Sequence, residues 1–302
     1  MSDERWIAET HGGIDSLRLI PVRVPAPRAG EVTIAVRACG MNPIDYKNLP
    51  GLIGFEVAGV IIAAGPGTRH EFGDEVLAFR IEGGYATALT VPDRDAFTKP
   101  AELTFPQAAN LLLAGTAAAE MLHLTHIGAG DTVLVHGAGG AVGVSVLQQL
   151  RDLGANAIGT ASEAGFATVR EFGATPISYG PGLADRVRRL AGAGLTAALD
   201  CVGTREAVDV SLELVRDRDR IVTTAAYDRA SAEGFHAVGG TRASEVFRDR
   251  VRPHLIDLAH RGRLTVPIAR TFPFDEAVPA LKLLASGHAG GKLALIVAES
   301  DR

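Results

Sequence analysis

The sequence predicts an α/β fold with two domains, one rich in short β-strands and the other built on a doubly wound parallel sheet. The chain has 302 residues, and at about 150 residues per domain this length suggests two domains. Near residue 111 its pattern changes from short strands with turns to alternating strands and helices. Glycine accounts for 35 residues without the period of collagen, so the excess is expected in turns and close backbone approaches.

The first hundred or so residues are predicted to form short strands. Apolar and polar side chains alternate in several segments, as they do in half-buried strands. Glycine turns such as Gly65-Pro66-Gly67 separate them. Many short strands with glycine turns are typical of a sandwich or barrel. The strands are predicted at 17–24, 31–38, 54–64, 75–79 and 85–91.

From residue 111 onward, strands and helices alternate, which implies a parallel sheet with right-handed crossovers. The strands are apolar without alternation, as in a sheet that is covered on both faces. They are predicted at 132–136, 155–161, 176–179, 196–202 and 220–226. The helices are predicted at 111–124, 144–153, 166–172, 183–190 and 205–215. The last stretch predicts helices at 245–260 and 274–286 and a final strand at 293–297.

Composition and charge exclude several classes of protein. The net charge is −5 and no basic run exceeds two residues, which argues against a nucleic-acid partner. The two cysteines, Cys39 and Cys201, cannot form a disulfide framework or a four-cysteine zinc site, which favours a cytoplasmic location. The first nine residues are polar and acidic, so no signal peptide is expected. The apolar run at 108–119 is too short to span a bilayer.

A glycine-rich loop joins the apolar strand at 132–136 to a helix. Glycines in such a loop allow a tight turn, close approach of the backbone to a pyrophosphate, and packing of helix on strand. The helix N-terminus then directs free N–H groups at the phosphates. The sequence therefore predicts a dinucleotide site, with a purely structural turn as the alternative. The loop consists of Gly137, Ala138, Gly139, Gly140, Ala141, Val142 and Gly143.

The end of the second parallel strand favours NADP(H) over NAD(H). Sites for NAD place an acid there to bind the ribose 2′-OH, whereas this strand ends in Thr160-Ala161-Ser162. The small hydroxyl residues Thr160 and Ser162 leave room for a 2′-phosphate. Glu163 follows, but a charge favourable to the next helix dipole is the simpler interpretation.

Five motifs occur in one order along nearly the whole chain. They are Arg37-Ala38-Cys39-Gly40-Met41-Asn42-Pro43-Ile44-Asp45, Gly54-Phe55-Glu56, Gly83-Gly84-Tyr85-Ala86, the loop 137–143, and Leu199-Asp200-Cys201-Val202-Gly203. Together they resemble the zinc-independent quinone oxidoreductase branch of the medium-chain dehydrogenase/reductase superfamily. The resemblance implies a GroES-like substrate domain at 1–112 and 246–302 and a Rossmann dinucleotide-binding domain at 113–245. It also implies a homodimer, with an exposed strand edge expected near 220–226.

The same resemblance bears on metal chemistry. In the zinc-dependent relatives, two cysteines and a histidine hold the metal, and the matching positions here are Asn42, Phe55 and about Leu112. These residues cannot form a zinc site of nitrogen and sulfur ligands. A site without a metal suits an acceptor that takes hydride readily, such as a quinone or an α,β-unsaturated carbonyl.

The resemblance places the substrate near Asn42, Tyr46 and Phe55. Tyr46 is expected to orient the substrate oxygen and to donate a proton, with an aromatic cover of the core as the equal alternative. Asn42 is expected to hydrogen-bond the substrate or a cofactor hydroxyl. The short connection at 48–53 predicts an open substrate mouth.

Further cofactor contacts follow from the resemblance alone. Ser162 and Tyr179 match a serine and a tyrosine that hold the 2′-phosphate, whereas the lysine expected between them is Ala164. Thr116 resembles a threonine on the nicotinamide side of the cofactor. Cys201 and Val202 end the fourth strand, at the sheet edge where such folds bind ligands. Val238 is expected under the carboxamide.

These observations together predict an NADPH-dependent, metal-free oxidoreductase that reduces quinones or other activated carbonyl or enone acceptors. The alternative is a non-catalytic NADPH-binding sensor or interaction protein. The expected partners are a small-molecule substrate and a second copy of the chain, with no nucleic acid and no membrane.

Overall fold

The computed structural model describes residues 3–9, 11–191, 194–287 and 289–299. It divides into two compact units. The first, here called the β-rich unit, comprises Met1–Leu113 and Thr265–Arg302; the second, the parallel-sheet unit, comprises Ala114–Leu264. The chain therefore leaves the β-rich unit and returns to it at the end.

The strands and helices follow the predicted change of pattern. The strands are β1 (Asp3–Ala8), β2 (Leu17–Val22), β3 (Glu31–Gly40), β4 (Gly51–Leu52), β5 (Glu56–Ala64), β6 (Glu75–Phe79), β7 (Ala88–Pro92), β8 (Ala96–Thr98), β9 (Thr132–His136), β10 (Asn156–Ala161), β11 (Thr175–Ser178), β12 (Leu195–Asp200), β13 (Ile221–Thr223), β14 (His236–Ala237), β15 (Ile268–Pro273) and β16 (Lys292–Ile296). The helices are α1 (Pro43–Lys47), α2 (Phe105–Ala108), α3 (Leu112–Leu124), α4 (Ala141–Leu153), α5 (Phe166–Glu171), α6 (Leu183–Ala191), α7 (Arg205–Leu214), α8 (Tyr227–Glu233), α9 (Arg242–His260) and α10 (Ala277–Ala285).

The β-rich unit contains two sheets. The larger has the strand order β15-β16-β3-β5-β6-β8, with β7 paired to β3, and the smaller has the order β2-β1-β4. Strand β3 lies at the centre because it pairs with β5, β7 and β16. Its inward side chains, including Ile34 and Val36, join a buried core with Met41, Ile53 and Tyr85. Strand β3 therefore delivers the segment after Gly40 into the interior of the unit.

The parallel-sheet unit contains six parallel strands in the order β11-β10-β9-β12-β13-β14. The order reverses between β9 and β12, so their carboxyl ends form the switch point at which doubly wound sheets bind ligands. The predicted α/β fold class, with one β-rich part and one parallel sheet, is confirmed.

The second boundary between the units differs from the predicted one. The structure divides at residue 265 rather than 246, so α9 belongs to the parallel-sheet unit. Two contacts explain the difference. Arg248 of α9 pairs with the buried Glu120 of α3 at 2.6 Å, and Leu255 packs so closely on Gly115 that a Cβ there would lie 3.3 Å from it.

The expected strand edge near 220–226 is wrong, because β13 is an interior strand with β12 on one side and β14 on the other. In the part of the chain that the structure describes, β14 is the outer strand on this side of the sheet. A strand of two residues is easily overlooked in a sequence pattern.

None of the described helices has both the length and the hydropathy needed to cross a bilayer.

Candidate active site

The glycine-rich loop lies at the carboxyl end of β9, where the sequence predicted it. Gly137 has a φ of +70°, which leads the chain out of the strand in a conformation that favours glycine. Gly140 donates its N–H to the Gly137 carbonyl at 3.0 Å, and Val144 donates to Gly140 at 2.8 Å. Helix α4 then begins at Ala141 with Gly140 as its N-cap. The loop is therefore a tight turn that ends in a helix N-terminus.

The glycines of this loop differ in what a side chain would meet. A Cβ on Gly143 would lie 2.3 Å from the Gly137 carbonyl oxygen, so this position requires glycine for packing. A Cβ on Gly139 would meet nothing within 4 Å, and one on Gly140 would meet only the Gly137 oxygen, at 3.3 Å. Bare backbone at a helix N-terminus thus faces open space. The residues present fit a dinucleotide pyrophosphate.

Strand β10 holds the glycine-rich loop in place through hydrogen bonds and close packing. Thr160 accepts the Gly137 N–H on its hydroxyl at 3.1 Å and the Ala138 N–H on its carbonyl at 3.0 Å. Gly159 lies so close that a Cβ there would approach Ala138 to 2.6 Å. The Thr160 side chain, predicted as a cofactor contact, therefore supports the loop and is bonded to it.

Two predicted contacts for a 2′-phosphate follow neighbouring strands. Ser162 follows β10 directly and is exposed, with no capping bond to the short 3-10 helix that starts there. Tyr179 follows β11 and is 59 % exposed. Since β10 and β11 pair in parallel, both residues lie at the same edge of the sheet. Ala164 is exposed beside Ser162 and supplies no charge.

The carboxyl end of β12 is held by a buried carboxylate. Asp200 accepts the N–H groups of Val202 and Gly203 at 2.9 and 2.8 Å, and the hydroxyl of Thr223 at 2.7 Å. Val202, one of the predicted cofactor residues, is consequently fixed beside the loop: a Cβ on Gly137 would lie 3.3 Å from the Val202 Cβ. Val202 remains 47 % exposed, so its side chain is accessible to a ligand, and its cofactor contact remains a prediction.

Other predicted cofactor residues lie deeper in the same unit. Burial raises the pKa of the Cys201 thiol, so it is not a nucleophile at neutral pH. Val238 is buried and donates its N–H to the Thr223 carbonyl at 3.0 Å. Thr116 is fully buried in α3. Their cofactor contacts remain predictions.

In the β-rich unit, the segment after β3 begins with a buried polar cluster. Asn42 donates from Nδ2 to Glu56 Oε1 at 2.8 Å and accepts from Lys292 Nζ on Oδ1 at 2.5 Å. Lys292 also contacts Glu56 Oε1 at 3.3 Å. The second oxygen of Glu56 accepts the Leu113 N–H at 2.9 Å. Asn42, Glu56 and Lys292 are each at most 5 % exposed, so the cluster is shielded from bulk water.

Asp45 closes this cluster on the other side. Its Oδ2 accepts the Asn42 N–H at 2.7 Å and the Tyr85 hydroxyl at 2.9 Å. Burial raises the pKa of Asp45 to about 7, an effect that Glu56 reinforces and that the bonds from Asn42 and Tyr85 and the charge of Lys292 reduce. The Asp45 carboxyl therefore titrates near neutral pH. Burial also raises the pKa of Tyr85 well above its ordinary value.

The residues at the zinc positions do not fit a metal. Phe55 and Leu112 offer no donor atom, and the Asn42 amide is bonded to Glu56 and Lys292. Within the described ranges, no three His, Cys, Asp or Glu residues are grouped as a metal would need. Cys39 is fully buried in the core, and burial raises its pKa. It packs as a small apolar residue in the core of the β-rich unit.

Tyr46 lies in α1, one residue after Asp45, and is half-buried. It packs against the core of the β-rich unit, as expected for an aromatic residue that covers the core. Its partial exposure leaves it available to a ligand as well. Its role as a substrate contact remains a prediction.

The sequence did not predict functional roles for Glu56 and Lys292. Glu56 belongs to the motif Gly54-Phe55-Glu56, and Lys292 to none of the five motifs. A weak signal was available, because Lys292 is a lone cation after Gly290-Gly291, at the start of an apolar strand. The two residues are 236 positions apart, and only the fold brings them together.

The strand order and the loop define a dinucleotide-binding type of α/β protein that carries an additional β-rich unit. Residues 28–101 match the alcohol dehydrogenase GroES-like domain, and residues 172–295 match the zinc-binding dehydrogenase family.

Similar proteins and solved structures agree with these domains. The chain is 28 % identical to a rat synaptic vesicle membrane protein VAT-1 homolog, over 94 % of this chain and 82 % of that protein. It is 38 % identical to rat quinone oxidoreductase over 54 % of each chain. A mycobacterial protein solved in complex with NADPH superposes with a TM-score of 0.83 at 28 % identity, covering 98 % of this chain and all of the other. The chain belongs to the medium-chain dehydrogenase/reductase superfamily of oxidoreductases, as its motifs indicated.

Proposed function

We propose that this protein is an NADPH-dependent, metal-free oxidoreductase that reduces quinones or other activated carbonyl or enone acceptors. The observation that carries the proposal is the bare backbone of Gly139 and Gly140 at a helix N-terminus. The solved relative with bound NADPH and the similarity to quinone oxidoreductase support it.

The parallel-sheet unit would hold the cofactor. The loop 137–143 would cradle the pyrophosphate, and Ser162 and Tyr179 would face the 2′-phosphate. Val202 would pack against the cofactor at the switch point. Bound NADPH would supply a hydride, that is, two electrons and one proton, to the acceptor.

The β-rich unit would supply the groups that orient the acceptor. Asn42 and Tyr46 are the polar side chains proposed for this role. Asn42, Phe55 and Leu112 do not form a ligand set that could hold a Lewis-acidic metal, so an acceptor whose reduced form is a stabilised anion is favoured. A hydroquinone anion can take its balancing proton from water or from Tyr46.

A steady-state assay tests the proposed function. Purified protein is mixed with NADPH and with a panel of quinones and enones, and NADPH oxidation is followed by absorbance. Turnover with at least one acceptor class is expected. Cofactor binding without oxidation by any acceptor would refute the proposal and favour a non-catalytic sensor; salt-sensitive RNA binding would strengthen that alternative.

The preference for NADPH is tested at the end of β10. Ser162→Asp places a carboxylate beside the proposed 2′-phosphate, so the ratio of NADPH to NADH affinity is expected to fall about tenfold, or about 1.4 kcal/mol. Ser162→Asn is a neutral control of the same size and is expected to leave the ratio nearly unchanged. Both dissociation constants are measured by calorimetry. An unchanged ratio in the aspartate variant would show that Ser162 does not face the 2′-phosphate.

A further inference from the structure

The buried cluster around Asn42 holds its side chain from two directions. Lys292 Nζ donates to Asn42 Oδ1 at 2.5 Å, and Asn42 Nδ2 donates to Glu56 Oε1 at 2.8 Å. Rotation of the carboxamide by half a turn would place its NH2 against an ammonium and its oxygen against a carboxylate. The two charges therefore permit one orientation of the amide.

The Asn42 backbone is fixed as well. Its N–H bonds to Asp45 at 2.7 Å, and the carbonyl of the preceding Met41 lies 3.4 Å from Lys292 Nζ. Asn42 is thus held at its backbone N–H and at both ends of its side chain. Each group that holds it lies in the β-rich unit.

Stability alone is a weak explanation for this arrangement. Taking two charges out of water is costly, and well-packed apolar residues in place of a buried ion pair are often neutral or stabilising. What the ion pair provides here, and apolar residues would not, is a directed carboxamide. The ammonium also polarises the amide, which strengthens the Nδ2–H groups as donors. One of those hydrogens is bonded to Glu56. Among the described residues the other has no bonded acceptor, and it is the one assigned here to a ligand.

We propose that Lys292 and Glu56 are positioning residues for the reaction, and that they orient the Asn42 carboxamide as a hydrogen-bond donor to the acceptor oxygen. This inference rests on the proposed function. It identifies the favoured substrates as acceptors whose oxygen gains negative charge during hydride transfer, as in a quinone or an enone carbonyl. Asn42 stabilises that charge, and Lys292 and Glu56 act only through Asn42.

The test separates positioning from structural support. Lys292→Met alone leaves Glu56 as an unpaired buried charge and is expected to destabilise the fold. The double variant Lys292→Met/Glu56→Gln removes both charges together, so its thermal midpoint should return close to that of the wild type. Its kcat for quinone reduction is nevertheless expected to remain about 10- to 100-fold low, because a misplaced group costs rate rather than stability. Lys282→Met, at an exposed lysine paired with Asp15, is the matched control and should change neither.

A comparison in a second background completes the test. If Lys292 and Glu56 act through Asn42, adding both changes to Asn42→Ala should cause no further loss of kcat. A further loss of tenfold or more, or recovery of kcat together with the thermal midpoint in the double variant, would overturn the positioning role. An inactive wild-type protein would instead refute the proposed function, and the positioning role would fail with it.

A second pair of variants gives an independent comparison. Both leave the Lys292 charge unpaired and are expected to lose similar stability, so kcat is compared at a temperature at which both are folded. Glu56→Gln keeps an acceptor for Asn42 Nδ2 and is expected to retain kcat within about threefold, whereas Glu56→Leu removes it and should resemble Asn42→Ala. Equal kcat values for the two Glu56 variants would overturn the proposal.

Discussion

Replacing Gly140 by valine is expected to weaken NADPH binding roughly 100-fold, or by about 3 kcal/mol, while the protein stays folded. Gly140 has a φ of −80° and a ψ of 171°, which any L-residue adopts readily. A Cβ there meets only the Gly137 oxygen, at 3.3 Å, so the valine side chain extends into the space that a pyrophosphate would fill. Fluorescence titration with NADPH measures the effect.

Substitutions at two further glycines serve as controls for this result. Gly128→Val adds the same side chain at a turn with nothing within 4 Å, and NADPH affinity should not change. Gly143→Ala places a Cβ 2.3 Å from a backbone oxygen and should lower the thermal midpoint instead. Unaltered NADPH affinity in a folded Gly140→Val protein would show that the loop does not bind the cofactor.

The stabilising contribution of protonated Asp45 is expected to be lost as pH rises from about 4 to about 7, and Asp45→Asn should remove that contribution. Burial lowers the pKa of His136 to about 4, so the contribution of His136 to stability rises over nearly the same range. The difference in slope between the two proteins therefore isolates Asp45. The folded pKa of Asp45 is raised from 3.8 to about 7, mainly by burial. Between these pH values the native state holds a proton that the unfolded chain has already released, and the stability lost across this range is on the order of 2–4 kcal/mol. Asparagine keeps an acceptor for Asn42 and Tyr85 and does not titrate. Urea unfolding across this pH range measures the slope in both proteins.

Asp93 provides an internal comparison for the acidic side. Burial alone would raise its pKa, but bonds from His70 and Arg69 outweigh that and lower it to about 2. Its stabilising contribution is therefore lost as pH falls from about 4 toward 2, in the wild type and in Asp45→Asn alike. If Asp45→Asn retained the wild-type slope between pH 4 and 7, another group would be responsible for it.

The features that the sequence predicted well depend on local pattern. The glycine loop, the apolar parallel strands and the small residues after β10 are each determined by neighbours within about 20 positions. The outer strand β14 was missed because two residues carry too little pattern, and its register with β13 depends on tertiary packing. The boundary after α9 was misplaced because the pairing of Arg248 with Glu120 joins residues 128 positions apart.

The candidate site likewise combines features that local sequence pattern predicts with features that only the fold determines. Asn42 was predicted from a motif, yet its partners could not be, because Glu56 and Lys292 reach it only through the pairing of β3 with β5 and β16. Asp45 ends the same motif and holds its loop through bonds to Asn42 and Tyr85. Its raised pKa arises from complete burial, which no local pattern shows.

The ammonium of Lys292 has a consequence for redesign. Placing cysteine, histidine and cysteine at positions 42, 55 and 112 would supply three zinc ligands. It would not by itself create a site that binds zinc. Lys292 Nζ and Glu56 Oε1 lie 2.5 and 2.8 Å from the present Asn42 side chain, so a divalent cation bound there would be repelled by the ammonium and would compete with it for the carboxylate. Installing a metal would require at least a fourth substitution, at Lys292. If the three ligand substitutions were made before the change at Lys292, the intermediate variants would bind zinc weakly.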